Sequence, residues 1–268
     1  MQFRQQALSK LQSPEEIDLP VRFARPRGPL ILAVTVVVMI AAAVWAVTGT
    51  VTSTLGAPGV LTHAQGSYVL QSPVSGQVTE VLAEEGARVP ANAPLVKVRT
   101  AQGSTVVRAI AAGRLTALVA TIGSVVTTGA DLAAVERVEK ADDPLMAVLY
   151  VPADSASPVR VGATVDLTVQ SVPTQQYGVL RGRVKAVGRT TQTRQRITGF
   201  LGSSQLGEQF SKAGQPVAVL VRLDASSGTK SGYSWSTSQG PPYAVDSMTL
   251  ATGSIRLAQQ HPIDWLLP

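Results

Sequence analysis

The chain contains no cysteine. Disulfides, thiolate metal ligands, cysteine nucleophiles and an anchor built on a lipidated cysteine are therefore excluded. Histidine is scarce: His63 and His261 stand far apart and without ligand spacing, so neither a metal site nor an acid–base pair is expected of them. Charged residues are 15% of the 268 and aromatics 4%. A net charge of +6 with so few aromatics does not suit a nucleic-acid surface. No G-x-S-x-G elbow and no phosphate-cradling G-x-x-x-x-G-K-[ST] occurs. The adjacent acids Glu84 and Glu85 read as a solvated strand edge rather than a catalytic pair. These absences together exclude most enzyme classes, and no cofactor and no metal are expected.

What the sequence does have is one long uncharged run. "PLILAVTVVVMIAAAVWAV", Pro29 to Val47, holds no charged residue. Nineteen residues at about 1.5 Å rise nearly span the roughly 30 Å hydrocarbon layer of a bilayer. Arg22, Arg25 and Arg27 precede it, and the next Lys or Arg after it is Arg88. The positive-inside rule then puts the N-terminus in the cytoplasm and the remainder outside, on a single-pass protein of the cytoplasmic membrane. A cleaved signal peptide is the rival, helped by "AVWA" at 43–46. Its apolar core would be unusually long and its leader unusually extended. Before the run, Ser13, Pro14, Glu15 and Glu16 form a helix-start signal, which Pro20 cuts short. That segment is either a contact for a membrane partner or a spacer.

Beyond the membrane the chain repeats itself. "SGQVTEVLAEEGARVPANAPLVKV" (75–98) aligns without a gap on "AGRLTALVATIGSVVTTGADLAAV" (112–135) at an offset of 37. Gly76 matches Gly113, Gly86 matches Gly123, Leu95 matches Leu132, and Val98 matches Val135. Asn92 matches Gly129, and both tolerate positive φ in a turn. Each copy reads as short strands between glycine turns. One copy is too small to close a core, whereas two face to face form a flattened sandwich with pseudo-twofold symmetry. After Glu136 the strings "LMAVLYV", "RVGATVDLTV", "GVLRGRVKAVG" and "QPVAVLVRLD" predict strands of a small antiparallel barrel. "TRQRITGFLGSSQLGEQFSKAG" (193–214) predicts one short helix plus loop. The Gly/Ser/Pro-rich 226–242 stretch predicts a long loop, either mobile or in contact with a partner, and "SIRLAQQHPIDWLLP" a returning strand. The fold class expected is thus mostly β: one N-terminal transmembrane helix, a two-repeat sandwich and an antiparallel barrel. The boundaries expected are a cytoplasmic segment (1–28), the span (29–48), a linker or membrane-proximal strand (49–70), the sandwich (71–137), and a barrel with a membrane-proximal terminal segment (138–268).

The repeat, in "SPVSGQVTEVLAEEGARV" and "RAIAAGRLTALVATIGSVV", resembles the biotinyl/lipoyl domain. In carriers of that kind the modified lysine sits in the turn joining the copies. Here the turn is Thr100-Ala101-Gln102-Gly103-Ser104, and the nearest lysine, Lys97, falls in the strand before it, so covalent loading is not expected. The same half-repeats followed by "strand, VPxxxxxxVxxG, strand" are similar to haemolysin-D-type (HlyD) membrane fusion proteins, the periplasmic adaptors of secretion and efflux pumps. "FRQQALSKLQSPEEIDLPVRFARPRG", "SGYSWSTSQGPP" and "HPIDWLLP" resemble one branch, the secretion proteins of NHLM-type bacteriocin export systems. The departure is that only thirteen residues, Arg99 to Ala111, separate the copies, leaving no room for the coiled-coil hairpin usual there.

The resemblance implies a scaffold rather than an enzyme. It implies a homo-oligomeric ring, a hexamer being one form, on the outer face of an ABC-type transporter, forming or guarding an exit path for an exported peptide or small molecule. Partners would be the transporter, further copies, the lipid bilayer and the peptide, and no nucleic acid. Lumen or interface positions expected on this reading are Gly76, Gln102 and Gly113, with the basic strip Arg181, Arg183 and Lys185; the bland reading of that strip is a solvated barrel face. A different class is a cell-envelope module gripping wall polysaccharide or peptide through Tyr233, Trp235 and Tyr243.

Overall fold

The computed structural model describes residues 28–49, 51–138 and 143–260. Two units are distinguished, one containing the N-terminal helix and the other spanning Thr52–Gln259. The helix, α1 (Gly28–Thr48), has a mean hydropathy of 2.8 and no buried residue, and is long and apolar enough to cross a membrane. Its polar side chains satisfy themselves locally. The hydroxyls of Thr35 and Thr48 donate to the carbonyls of Ile31 and Val44 at 2.9 and 2.7 Å, as an apolar surrounding requires. The N-terminal helix-start signal at Ser13 and the terminal "HPIDWLLP" lie outside the described residues.

The regular structure of the second unit is strand apart from a few short helices. In chain order its strands are β1 (Val51–Thr62), β2 (Ser67–Gln71), β3 (Gly76–Val81), β4 (Arg88–Val89), β5 (Pro94–Thr100), β6 (Gly103–Arg108), β7 (Gly113–Leu118), β8 (Val125–Val126), β9 (Asp131–Arg137), β10 (Met146–Val151), β11 (Thr164–Val169), β12 (Leu180–Thr191), β13 (Val217–Leu223) and β14 (Leu250–Gln260). Three short helices join them: α2 (Thr174–Tyr177), α3 (Arg194–Leu201) and α4 (Ser204–Ser211).

Strands β2 to β9 make a sandwich of two four-stranded sheets, ordered β2-β9-β7-β4 and β6-β5-β3-β8. The repeat seen in the sequence is a structural repeat. Adding 37 to β3, β4 and β5 gives β7, β8 and β9, and the two sheet orders exchange under the same operation. Even the bulges coincide: β3 slips against β5 between Val78 and Glu80, and β7 slips against β9 between Leu115 and Ala117. Each sheet takes its last strand from the other half, since β8 pairs with β3 and β4 with β7. Neither half can therefore complete a sheet alone. Leu95, Val98, Leu115, Leu132 and Val135, all fully buried, fill the space between the sheets. Asn92 and Gly129 occupy matching turns at φ 66° and 86°, as the alignment predicts.

The remaining strands close into a barrel ordered β1-β10-β13-β12-β11-β14, antiparallel at every registered pair. Leu61, Leu149, Leu167, Leu180, Val219 and Ile255 fill it. All six residues of β10 are buried. Ala147, Leu149 and Val151 point into the barrel, while Val148 and Tyr150 lie beneath α3 and α4 with Ile197, Leu201 and Phe210. That double burial is why "MAVLYV" is an unbroken apolar run rather than an alternating one.

Two features differ from the sequence expectation. Residues 51–62, expected within a linker or membrane-proximal strand, form the first strand of the barrel itself, and the sandwich begins at Ser67 rather than 71. "TLGAPGVLT" lacks strand propensity, but its small residues let β1 lie close on β10: a Cβ at Gly59 would stand 2.3 Å from the Val148 carbonyl oxygen. The segment 193–214 is two helices, not one. Thr193 caps α3 by accepting from the Arg196 N–H, Gly202 ends it at φ 68°, and Ser203 at once caps α4 by accepting from the Leu206 N–H.

Candidate functional site

The sandwich has two ends, related by its internal symmetry but chemically unlike. The row Ser67, Glu136, Arg114, Arg88 crosses one sheet, and its symmetry partner, Ser104, Arg99, Gln77, Val125, crosses the other at the opposite end. The first row abuts the barrel. The second lies at the end that carries the β5–β6 hairpin tip.

At the barrel end Glu136 is fully buried. Its Oε1 accepts from the Thr62 hydroxyl at 2.8 Å and from the His63 backbone N–H at 2.9 Å, with the His63 imidazole Nδ1 at 3.0 Å. Burial pushes this carboxyl up, but the His63 ring, the Ser247 hydroxyl, the His63 N–H and the Thr62 hydroxyl together outweigh it and bring it down to about 2. Oε2 makes no well-aligned hydrogen bond. The last residues of β1 are thereby bound to the last strand of the sandwich. The α3 helix adds packing at the same joint: a Cβ at Gly202 would stand 3.0 Å from Ser67 Cβ, and one at Gly66 would run into the Phe200 ring. Beside the joint lies a cleft of about 520 Å³ whose walls include His63, Arg88, Arg114, Tyr233, Asp246 and Ser247. Arg114 spans part of it, with Nη1 3.5 Å from Asp246 Oδ1 and Nε donating to the Gly86 carbonyl at 3.1 Å. The mixed charges and the buried carboxylate make this a joint. Among the described residues no three His, Cys, Asp or Glu side chains gather as a metal site would need.

At the far end none of the described residues covers the surface. Gln102 is exposed in the two-residue turn between Thr100 and Gly103, its N–H donating to the Thr100 hydroxyl at 3.2 Å. At this end the β7–β8 loop exposes Val119 (63%) and Ile122 (69%), and the first residue of β8, Val125, is 78% exposed. The equivalent positions of the first copy are Leu82, Glu85 and Arg88, of which Glu85 accepts the Leu118 N–H at 2.7 Å. At two of the three positions the first copy thus keeps charge where the second exposes an apolar side chain; Leu82, 46% exposed, is apolar like its counterpart Val119. Lys97 is in β5, ion-paired with Glu80 at 2.8 Å, and not in the turn.

Gly76 and Gly113 occupy matched strand crossings. A Cβ at either would stand 2.2 Å from a carbonyl oxygen, that of Arg99 or of Glu136. Close backbone approach accounts for their being glycine. The basic strip of β12 faces outward while Leu180, Gly182 and Val184 face the core. Arg181 lies 3.2 Å and Arg256 3.1 Å from opposite oxygens of Asp166, and Arg183 lies 3.7 Å from Asp224. Lys185 is exposed, with Nζ 4.0 Å from the Met146 sulfur. The strip is thus largely paired within the barrel.

The aromatic loop requires a correction. Trp235 is 6% exposed and belongs to the barrel core, its Nε1 donating to the Ser231 hydroxyl at 2.8 Å. It cannot stack on a ligand. The Tyr233 hydroxyl accepts from the Leu145 N–H at 3.0 Å, and Tyr243, half-exposed, donates to the Ser171 carbonyl at 3.3 Å and meets Tyr177 edge-on. Thr237 and Ser236 tie the loop to Tyr177 and Val179 at 2.6 and 2.9 Å. The 226–242 segment packs on the barrel, and of the three aromatics named for wall binding it takes Trp235 out of reach, while Tyr243 stays exposed. Sequence reasoning passed over Glu136, although it stands in "DLAAVER" where the first copy has Arg99. It also passed over Ile122 and Val125, although the same alignment sets them against Glu85 and Arg88.

No family model matches the chain, and no curated protein does. Among solved structures it is similar to ZneB from Cupriavidus metallidurans, with 11% identity, 78% of this chain and 100% of that chain covered, and a TM-score of 0.52. It is also similar to MacA from Actinobacillus actinomycetemcomitans, with 10% identity, coverage of 80% and 81%, and a TM-score of 0.51. A MacA–MexA chimeric protein containing the Pseudomonas aeruginosa MexA alpha-hairpin domain matches at 11% identity, coverage of 80% and 84%, and a TM-score of 0.50. At these identities the likeness is one of fold.

Proposed function

We propose that this chain is a membrane-anchored, non-catalytic adaptor. It assembles as a homo-oligomeric ring on the outer face of an ABC-type transporter and forms or guards an exit path for an exported peptide or small molecule. On this reading α1 crosses the cytoplasmic membrane with its N-terminus inside, and the sandwich and barrel stand on the far side. The sequence resemblance to haemolysin-D-type fusion proteins and the shared fold with ZneB and MacA support the adaptor role. The N-terminal motifs and "HPIDWLLP" favour a peptide of the NHLM bacteriocin class as cargo.

The observation that carries the reading is the far end of the sandwich. Val119, Ile122 and Val125 are exposed at the same end of the sandwich as the Gln102 turn, opposite the end joined to the barrel. Isolated exposed apolar residues are ordinary, but three within the short stretch 119–125 are what a contact surface would present. In a ring, each copy would bury this stretch against its neighbour, and the Gln102 turns would surround the passage.

The test is the assembly state of the full chain in lipid nanodiscs or mild detergent. A multimer of defined size is expected, together with a polytopic ATPase on gentle purification from its own cell. The double change Ile122→Glu with Val125→Glu should give monomers whose thermal unfolding is unaltered. A wild-type chain that is monomeric at micromolar concentration, or a multimer indifferent to both substitutions, sinks the proposal.

A further inference from the structure

A cleft of about 410 Å³ opens on the barrel beside the strand through which the chain enters it. Thr52 of β1, Arg256 of β14, Thr164 of β11 and Arg160 of the loop before β11 line it, and no acid does. Thr52 stands four residues after Thr48, the last residue of α1. Four residues of chain reach at most about 14 Å. Covalent length alone therefore holds this wall of the cleft close to the headgroup layer of any bilayer that α1 crosses.

The surroundings carry surplus positive charge. Strands β12, β11 and β14 are neighbours in the barrel, and between them they hold five basic side chains, among them Arg181, Arg183 and Arg256, against one acid, Asp166. Arg181 and Arg256 take opposite oxygens of that single carboxylate, so the trio stays positive. Arg183 reaches Asp224 only at 3.7 Å and is 58% exposed. Arg160 is exposed and, among the described residues, enters no ion pair. Its neighbour Val161 is 68% exposed. A guanidinium is a planar donor suited to phosphate oxygens. Basic side chains near an anionic bilayer surface contribute about 1 kcal/mol each, within a screening length of about 8 Å at physiological salt. An exposed valine beside them suits the apolar boundary beneath the headgroups.

We propose that this face of the barrel docks on anionic phospholipid headgroups, with a lipid phosphate in the cleft held by Arg160 and Arg256 and Val161 inserted at headgroup depth. The proposal rests on α1 crossing the membrane, as proposed above, and on neither the ring nor the transporter.

The chain has no cysteine, so Val161→Cys gives a single labelling site. The full chain, carrying an environment-sensitive dye there, is placed in nanodiscs of phosphatidylcholine alone or mixed with phosphatidylglycerol. In the anionic discs the emission should shift to the blue and be quenched by a nitroxide attached to the lipid headgroup; in the neutral discs it should do neither. Raising the ionic strength to about 1 M, which shortens the screening length to about 3 Å, should abolish the shift. Arg160→Gln with Arg256→Gln should abolish it at low salt with the melting temperature kept, while Arg160→Lys should retain it. Co-elution of the chain with both kinds of disc reports the anchoring by α1 separately. A chain that co-elutes with neither fails the membrane reading and this proposal with it. A chain that co-elutes while its dye is indifferent to lipid charge, or to the loss of both arginines, overturns this proposal alone. Loss of the shift on adding inorganic phosphate at constant ionic strength would make the cleft a free-anion site and overturn it equally.

Discussion

Glu136 accepts a hydrogen bond from the hydroxyl of Thr62 at 2.8 Å, across 74 residues of sequence. Thr62 is the last residue of the first barrel strand, and Glu136 the penultimate residue of the last sandwich strand. The chain leaves the barrel, builds the whole sandwich and is tied to its point of departure before it returns. A buried carboxylate is costly unless its hydrogen bonds are made, so this contact holds the barrel and the sandwich together as a joint.

The joint should be acid-sensitive. The Glu136 carboxyl lies at about 2 in the folded chain against an ordinary 4.5, so the native state favours the ionised form. Its stabilisation is complete above about 4.5 and is lost as the pH falls from there toward about 2. A shift from 4.5 to about 2 corresponds to on the order of 3 kcal/mol. Glu136→Gln should cost roughly 1–3 kcal/mol at neutral pH and flatten the fall in stability across that window. Denaturant midpoints measured from pH 7 down to pH 2 check both effects; parallel curves for the two proteins would refute the assignment.

Alanine at Gly76 or Gly113 should destabilise alike. In each case a Cβ would press on a carbonyl oxygen at 2.2 Å, with a valine methyl group close behind. Overpacking of this kind costs about 1–3 kcal/mol. The matched pair makes the result diagnostic: similar losses in calorimetric melting temperature are expected, whereas a silent Gly76→Ala would show that the strand crossing can relax.

Trp235→Ala should be among the most damaging changes in the barrel. It removes a ring from the core and leaves Ser231 without its donor. The expected loss is about 3–5 kcal/mol by chemical denaturation. Polysaccharide or peptide binding by the folded chain should not depend on this residue.

Arg181→Ala should cost less than about 1 kcal/mol, because it breaks an exposed ion pair while Arg256 still holds Asp166. Asp166→Ala should cost more, since it leaves both arginines on strands flanking β11 with no acid between them. The order of the two denaturation midpoints is the test.

The intact mass of the purified chain should equal that of its residues. Lys97 is committed to Glu80 within a strand, three residues short of the turn where a carrier would present its lysine. A biotinyl or lipoyl adduct would contradict this.

Much of the architecture is legible in the residues themselves. The apolar helix α1 needs only an uncharged run of sufficient length, and the sandwich needs only a gapless repeat with glycine and asparagine at matching turns, because both are local patterns of hydropathy and backbone freedom. The barrel strands β10 to β13 announce themselves through valine-rich runs for the same reason. β1 does not, because "TLGAPGVLT" is a poor strand in isolation and becomes one only by lying against β10. Trp235 shows the same limit from the other side: an aromatic in a Ser/Gly loop looks like a contact residue until the barrel closes around it. Glu136 is the sharpest case. Residue type and repeat position mark it as different from Arg99, yet its burial, its partners and its depressed carboxyl arise from Thr62, His63 and Ser247, which arrive from distant parts of the chain. Periodicity and turn chemistry are properties of neighbouring residues and can be read along a line. Burial and hydrogen-bond satisfaction are properties of neighbours in space, and only the folded barrel and sandwich decide which residues those are.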